Sequence, residues 1–242
     1  MTTPLRIGTW NVEYATVAKN PARLARLMQA DADVWVLTET HDALSLASPY
    51  AAASTCEQRS TGRPGARWTT IWSRWPMVAV TTDDTQRTVA ARIQAPGGDL
   101  LVFGTVLPWG TDPGPDPAAP ARGWTEMDRV LPLQLAEWRR LREAHGVPLV
   151  VAGDLNMDLG GAPYYGTKRC RAALSAGLAE LQMRCATSTD QVPPGKLEHP
   201  PIDHVLVPAG WTTRVAEAWE GTQDGVRLSD HSGLVVEVSA RR

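Results

Sequence analysis

The sequence predicts an α+β fold in which two mostly antiparallel sheets pack face to face with helices on the outside. Strand-like segments outnumber helical ones, the two halves of the chain have a similar layout, and a Pro-Gly-Gly-Asp turn at 96–99 indicates an antiparallel hairpin. A chain of 242 residues can bury a substantial core within one domain. We therefore expect a single domain over 1–242.

The first half of the chain opens as a β-α-β unit. A strand is expected over 5–12, a short helix with one apolar side over 21–29, and a buried strand over 34–39. Four further strands are expected at 67–73, 78–82, 89–95 and 100–107. The turn between the last two makes them an antiparallel pair.

The second half begins with a loop, because residues 108–120 contain five prolines in thirteen positions. A helix is expected over 125–145, and Pro132 predicts either a kink or a later start. The remaining elements are a buried strand, a helix and two late strands, expected at 149–152, 168–176, 202–207 and 234–239.

Composition and charge exclude several classes of protein. The formal net charge of −2 lacks the electrostatic signature of an avid non-specific nucleic-acid binder, so local basic patches must contact any DNA or RNA. Three cysteines without a Cys-x-x-Cys pair predict neither a disulfide framework nor a zinc site. No signal-peptide pattern and no membrane-spanning stretch is visible. We expect a cytoplasmic protein.

Five polar motifs lie at the ends of apolar strands along the chain. They are Thr9-Trp10-Asn11, Glu39 after the apolar run at 34–37, Gly153-Asp154-Leu155-Asn156, Ile202-Asp203-His204 and Ser229-Asp230-His231. Carboxylates and carboxamides at strand ends suit a hard divalent cation, which takes oxygen ligands and usually keeps several waters. Histidine suits proton abstraction near neutral pH.

This ordered series resembles the endonuclease/exonuclease/phosphatase superfamily, a group of Mg-dependent phosphoesterases that includes DNase I-like nucleases and neutral sphingomyelinases. The resemblance runs from about residue 6 to about residue 238. It implies a DNase I-like four-layer α-β-β-α sandwich and a hydrolase acting on phosphoester bonds. It also implies Mg²⁺ as the cofactor, with Mn²⁺ able to substitute.

The resemblance implies metal-binding roles for three residues. Glu39 is expected as the principal ligand, Asn11 beside the metal, and Asp230 as a ligand of the same or a second metal. A neutral carboxamide can orient a metal-bound water or a phosphate oxygen without adding charge. The alternatives are a solvated glutamate at a strand end and a turn-forming asparagine.

The resemblance implies catalytic roles for four more residues. Asp154 is expected to orient or deprotonate the attacking water, and Asn156 to contact the scissile phosphate. In extended chain these two side chains point the same way. His231 is expected as the acid–base group, with Asp203 fixing its tautomer. The alternative for Asp154 and Asn156 is an Asx-turn after a strand, and the alternative for residues 229–231 is a capping turn. His204, in contrast, is predicted to be structural.

The chain departs from the family pattern at Val106, where a phosphate-contacting His or Tyr is expected. Losing one such donor costs about 3–4 kcal/mol of transition-state stabilisation in comparable sites, so another residue is expected to substitute. The residues predicted to contact substrate are Arg74, Trp109, Arg122, Tyr165, Lys168 and Arg169. Interleaved aromatic and cationic groups suit a phosphate-bearing chain with stackable bases, and the alternative is a solvated helix start.

These observations favour a phosphate-containing substrate, in the first place a phosphodiester of DNA or RNA. The runner-up is a phosphomonoester or a phospholipid headgroup, which the net charge of −2 favours. Val106 leaves open a third class, a non-catalytic binding module on the same fold. The retained series of polar groups argues against that class.

Overall fold

The computed structural model describes residues 4–14, 17–56, 63–115 and 123–240. Within these ranges the helices are α1 (Asn20–Ala30), α2 (Thr125–His145) and α3 (Lys168–Glu180). The strands are β1 (Leu5–Asn11), β2 (Val34–His41), β3 (Ala51–Ser54), β4 (Ala66–Ser73), β5 (Met77–Val80), β6 (Thr88–Ala95), β7 (Gly98–Val106), β8 (Leu149–Asp154), β9 (Met183–Cys185), β10 (Asp203–Pro208), β11 (Thr212–Trp219), β12 (Thr222–Gln223), β13 (Val226–Arg227) and β14 (Gly233–Ser239).

Two six-stranded sheets have the same layout. The first has the strand order β11-β14-β1-β2-β4-β3 and the second β5-β6-β7-β8-β10-β9. Each contains one parallel pair joined through a helix, β1 with β2 and β7 with β8, and its other pairs are antiparallel. In each parallel pair, a crossover helix carries the chain back to the end of the sheet where the first strand began, so the second strand runs in the same direction. Hairpin β12-β13 stands apart from both sheets.

Three apolar clusters separate four layers of structure. Alternating strand residues from the two sheets meet in the middle, where Val36 and Val236 belong to the same buried cluster as Val102 and Val150. Helix α1 covers the outer face of the first sheet, and α2 with α3 covers the second through residues such as Trp138. This arrangement confirms the four-layer α-β-β-α sandwich.

The main differences from the predicted elements lie at the sheet edges. Strands β3, β9 and β11 were not predicted from the sequence. β3 is an alanine-rich edge strand that is mostly exposed, and β11 has mixed polarity, so neither shows a strong period-two pattern. Helix α2 begins at Thr125 and continues through Pro132, so the later start is wrong. Buried contacts on both sides of Pro132, by Met127 and Trp138, hold the helix against the second sheet.

Among the described residues, no helix is long and apolar enough to cross a membrane. The three cysteines, Cys56, Cys170 and Cys185, are free thiols.

Candidate active site

The predicted catalytic and metal-binding residues lie together where the two sheets meet at one end of the sandwich. β1 and β2 run parallel, so Asn11 and Glu39 lie at the same end of the first sheet. In the second sheet, Asp154 at the end of β8 pairs with Val106 on β7 and with Asp203 on β10. Directly paired residues on adjacent strands share a face, so Val106 and Asp203 flank the Asp154 carboxylate.

Asn11 connects the two sheets. Its Nδ2 donates to Glu39 Oε1 and to Asp154 Oδ2, each at 3.1 Å, and its Oδ1 accepts the backbone N–H of Glu13 at 2.9 Å. Asn11 is almost fully buried, so these bonds fix the orientation of its amide. The amide therefore holds the Glu39 and Asp154 carboxylates on either side of one narrow space.

His231 is held against Asp203. The Nδ1 of His231 lies 2.6 Å from Asp203 Oδ2, and its Nε2 lies 4.0 Å from Asp154 Oδ2. Three further bonds fix the turn that carries the ring. Ser229 Oγ donates to the Asn11 carbonyl at 2.6 Å and accepts the His231 N–H at 3.0 Å, and Trp10 Nε1 donates to the His231 carbonyl at 3.0 Å.

Asp154 and Asn156 are arranged by a turn rather than by an extended strand. β8 ends at Asp154, and Asn156 adopts a φ of 49° in the left-handed region. Asp154 Oδ1 accepts the Asn156 N–H at 2.8 Å, and Asn156 Nδ2 donates to the Leu107 carbonyl at 2.8 Å. The extended-chain reason for placing the two side chains together is therefore wrong, yet an Asx-turn keeps both at the site.

Close backbone approach explains Gly153, which precedes Asp154. A Cβ at this position would lie 2.1 Å from the Thr105 carbonyl oxygen, and the φ of Gly153 is 132°. Only glycine fits such a conformation at that distance. Glu39 also adopts a left-handed φ, of 50°, and non-glycine residues in this region are concentrated at functional sites.

The carboxylates repel one another, and His231 offsets part of their charge. Burial raises the pKa of Asp154 to about 7, with the nearby charge of Asp203 acting in the same direction. Burial also raises the pKa of Glu39. Burial lowers the pKa of His231, but the charges of Asp203 and Asp154 outweigh it and raise that pKa to about 10. Without a bound cation, the negative charge of the carboxylates exceeds the positive charge of His231.

The donor set suits a hard divalent cation. Asp154, Asp203 and His231 bring ligand atoms within 4.8 Å of one another, and Asn11 adds Glu39 to the same cluster. Asp203 Oδ1 is buried and has no hydrogen-bond partner. Carboxylate oxygens dominate this set, as Mg²⁺ and Mn²⁺ prefer, and a bound cation would offset the negative charge that the buried Glu39 and Asp154 carboxylates bring together.

The predicted metal ligand Asp230 and two predicted substrate contacts, Trp109 and Tyr165, lie at the rim of the site. The carboxylate of Asp230 is half-exposed, lies 3.6 Å from Arg227, and acts on the pKa of Glu39 through its charge. Trp109 is half-buried in the loop after β7. Tyr165 is half-buried, packs edge-on against Trp124, and accepts a hydrogen bond from the backbone of Gly110.

The basic residues are distributed differently from the prediction. Lys168 and Arg169 begin α3 and are exposed, and Arg169 pairs with Asp128. Arg74 lies at the opposite end of the first sheet, because it follows Ser73, the partner of Val34 at the start of β2. There it pairs with Asp31 and Asp33, so it is not among the residues at the site. Arg122 lies outside the described residues.

Other residues that shape the site were not found from the sequence. Ser229 could have been identified from the sequence, because it is the first residue of the Ser-Asp-His motif. Trp68 and Arg87 come from β4 and the segment before β6, and no local pattern marks them. His204 is structural as predicted: its Nε2 contacts the Met157 carbonyl at 3.0 Å, and its Nδ1 contacts Thr187 Oγ1 at 3.1 Å.

The family model described as the Endonuclease/Exonuclease/phosphatase family matches residues 8–231 of this chain. No curated protein matches the sequence. Solved structures share the fold at low identity. The human Nocturnin catalytic domain with bound sulfate has a TM-score of 0.67 at 16% identity, covering 99% of this chain and 95% of that one.

Two further structures cover 99% of this chain and 100% of their own, each with a TM-score of 0.62. One is the endonuclease domain of TRAS1, a telomere-specific non-LTR retrotransposon, at 16% identity. The other is sphingomyelinase C from Streptomyces griseocarneus, at 18% identity.

Proposed function

The chain belongs to the endonuclease/exonuclease/phosphatase family, whose members are hydrolytic phosphoesterases, and we propose that it hydrolyses a phosphodiester of nucleic acid with the help of Mg²⁺. The observation that carries the proposal is the pair formed by His231 and Asp203, with the His231 Nε2 lying 4.0 Å from Asp154. Because Cys56, Cys170 and Cys185 are free, the reduced cytoplasm remains our prediction for its location.

His231 is the group that moves a proton. Asp203 accepts the Nδ1–H, which leaves Nε2 as the atom that takes or gives a proton. The 4.0 Å between Nε2 and Asp154 Oδ2 is too long for a direct hydrogen bond. A water beside both atoms would be oriented by Asp154 and would lose its proton to His231 as its oxygen bonds to phosphorus, while the ester oxygen that leaves phosphorus would take a proton back.

Asn11 orients the Glu39 and Asp154 carboxylates, and Asn156 would contact the substrate phosphate, in both cases without adding charge. Glu39, with Asn11 and Asp230, would hold the Mg²⁺, and Mn²⁺ would take the same oxygen ligands. When bound, the cation would withdraw charge from a phosphate oxygen and lower the barrier to attack by water. Val106 contributes no hydrogen bond at this site, so Trp109 and Tyr165 are the proposed contacts on the adjoining rim.

A substrate screen tests this function. The purified protein is incubated with plasmid DNA, single-stranded RNA, bis-p-nitrophenyl phosphate and p-nitrophenyl phosphate, in Mg²⁺, Mn²⁺ or EDTA. We expect hydrolysis of the diesters with either metal and none in EDTA. Asp203→Asn keeps the shape of the carboxylate, and its loss of activity distinguishes this site from a contaminating nuclease. No hydrolysis of any diester by the folded wild type would overturn the proposal.

A phosphomonoester or a phospholipid headgroup is the second candidate. The net charge of −2 favours it, since a small substrate needs no extended basic surface. Arg169 is paired with Asp128, and Arg74 lies at the opposite end of the first sheet, which further reduces the basic surface near the site. Faster hydrolysis of p-nitrophenyl phosphate than of its bis-ester would favour this candidate over the first.

A further inference from the structure

Three aromatic side chains form a row along the rim of the site. The ring centroids of Tyr14 and Trp68 are 5.8 Å apart, and those of Trp68 and Trp109 are 5.7 Å apart. All three residues are half-buried, so each contributes part of its surface to the solvent. We call Trp68 and Trp109 the indole pair. Such large amphipathic surfaces bind flat ligands at little entropic cost, because each side chain has only two rotatable torsions.

The indole pair lies beside the proposed metal and catalytic residues. Trp68 is flanked by Arg67 and Thr69, which pair with Thr40 and Thr38, so it lies opposite Glu39 on the neighbouring strand. Trp109 comes three residues after Val106, which pairs with Asp154. One indole thus comes from each sheet, and the pair lies across the same junction that Asn11 connects.

A buried ion pair supports the two indoles from within the protein. The guanidinium carbon of Arg87 lies 5.8 Å from the ring centroid of Trp68 and 5.8 Å from that of Trp109. Arg87 pairs with Asp112, and the side chains of the two are 12% and 1% exposed. The Arg87 carbonyl also accepts a hydrogen bond from Thr69 Oγ1 at 2.8 Å. The rings are therefore preorganised and do not depend on a ligand for their position.

The charges around the rings favour a neutral ligand over a cationic one. A choline headgroup binds through its positive charge on aromatic faces, but the Arg87 guanidinium already uses both indoles in this way. A second cation at the same rings would be repelled. A neutral nucleobase has no such conflict, because it stacks on an aromatic face without bringing a charge to it. In a duplex both faces of a base are covered by the neighbouring bases, so only an unpaired base has a free face that can stack on an indole.

From this geometry we propose that Trp68 and Trp109 form a stacking subsite for an unpaired nucleobase next to the scissile phosphate. This inference rests on the proposed function and names its substrate class, a single-stranded nucleic acid or a single-stranded end. A base on the indole pair places the adjoining phosphodiester toward Glu39 and Asp154. Arg87 is a positioning residue in this subsite, because it acts through the rings.

Paired probes that differ in the base test the subsite. Turnover is measured with thymidine 5′-p-nitrophenyl phosphate and with methyl p-nitrophenyl phosphate, which share a leaving group and differ in the nucleoside. Trp68→Leu and Trp109→Leu should each raise KM about tenfold for the thymidine ester, the size expected for one stacked base, and should raise it much less for the methyl ester, which has no base. Trp68→Phe and Trp109→Phe keep an aromatic face and should restore most of the loss.

Trp211→Leu is the matched control, because Trp211 is also half-buried but packs on the core between the sheets, next to β11 at the other end of the molecule. Its KM should not change. Equal losses on both esters, or losses that phenylalanine does not restore, would show that the indoles only support the loop and would overturn the inference. Preferred hydrolysis of p-nitrophenylphosphorylcholine, with the same sensitivity to Trp68→Leu, would also overturn it.

A binding measurement separates this inference from the proposed function. Fluorescence anisotropy in EDTA compares labelled (dT)10 with an abasic strand of equal length, and it needs no turnover. The wild type should bind (dT)10 more tightly, and the two leucine variants should lose that preference. If the preference is found while no diester is hydrolysed, the proposed function fails and the subsite stands. Equal binding of both strands, or binding of neither, overturns the subsite.

Discussion

Asp154 and Asp203 occupy directly paired positions on β8 and β10, and both carboxylates lie within reach of the imidazole of His231. Antiparallel pairing forces the two side chains onto one face of the sheet, so their charges cannot separate. His231 then carries two electrostatic partners, and its pKa rises to about 10 although burial opposes this. The strand register thus sets the proton affinity of the group to which we assign the proton transfer.

Replacement of His231 should separate catalysis from metal binding. We expect His231→Ala to lower the turnover of bis-p-nitrophenyl phosphate by about two to four orders of magnitude, the usual contribution of a general acid–base group. Mg²⁺ affinity, measured by calorimetry, should stay near that of the wild type. His145→Ala, at the far end of α2, is the control. A variant of His231 that keeps most of its activity would transfer the base role to Asp154.

The stability of the metal-free protein should fall as the pH rises above neutrality. The pKa of His231 is raised from 6.5 to about 10 in the folded state, so its stabilising contribution is fully present below pH 6.5 and is lost as the pH rises through 10. Asp154, whose pKa is about 7, has largely titrated by pH 8. Thermal midpoints in EDTA between pH 8 and 10 should therefore fall more steeply for the wild type than for His231→Gln. Parallel curves would contradict the raised pKa.

Val106 lies beside Asp154, so a histidine there would be next to the site. We expect Val106→His to maintain or increase turnover of bis-p-nitrophenyl phosphate, because the imidazole can donate a hydrogen bond to the phosphate. Val106 is 1% exposed, and an imidazole without a partner would lower stability by about 1–3 kcal/mol. Turnover and thermal midpoint are measured together, with Val106→Ile as the control. Lost turnover with an unchanged midpoint would contradict a phosphate contact at this position.

Lys168 and Arg169 remain the predicted phosphate contacts on α3. The double variant Lys168→Ala/Arg169→Ala should reduce the slope of log K against log salt for (dT)10 binding by about one unit per lost contact. Arg171 is left out of this test, because it forms a buried ion pair with Asp158 and bonds to the Tyr165 carbonyl. Arg139→Ala on α2 is the control. An unchanged slope would assign Lys168 and Arg169 to a solvated helix start.

The sequence was most informative where strands are buried and end in polar residues. Apolar runs such as 34–37 and 149–152 have few alternatives to a core strand, and parallel pairing then brings Asn11 and Glu39 to one end. Those features predicted the sandwich and grouped the site residues. The position of Arg74 was not predictable in this way, because a charged residue after a strand can lie at either end of a sheet until the register is known.

Contacts between segments that are far apart in the chain could not be predicted from the sequence either. Asn11 touches Asp154 across 143 residues, and Ser229 touches Asn11 across 218, so no local periodicity records either bond. The indole pair has the same origin, since Trp68 and Trp109 meet only after the two sheets pack. Asn156 shows a different limit: the turn after β8 depends on its left-handed backbone, which an extended-strand argument cannot anticipate.

The most direct test of the account is the rate of bis-p-nitrophenyl phosphate hydrolysis as chelated protein is titrated with Mg²⁺, for the wild type and for Glu39→Gln. Glutamine keeps the oxygen that accepts from Asn11, so the fold should persist, but it removes the charge that a hard cation requires. We predict no rate without metal, a saturable rise for the wild type, and saturation of Glu39→Gln only at much higher Mg²⁺. A rate that is independent of Mg²⁺, or identical curves for the two proteins, would contradict a metal-assisted phosphodiesterase built around Glu39.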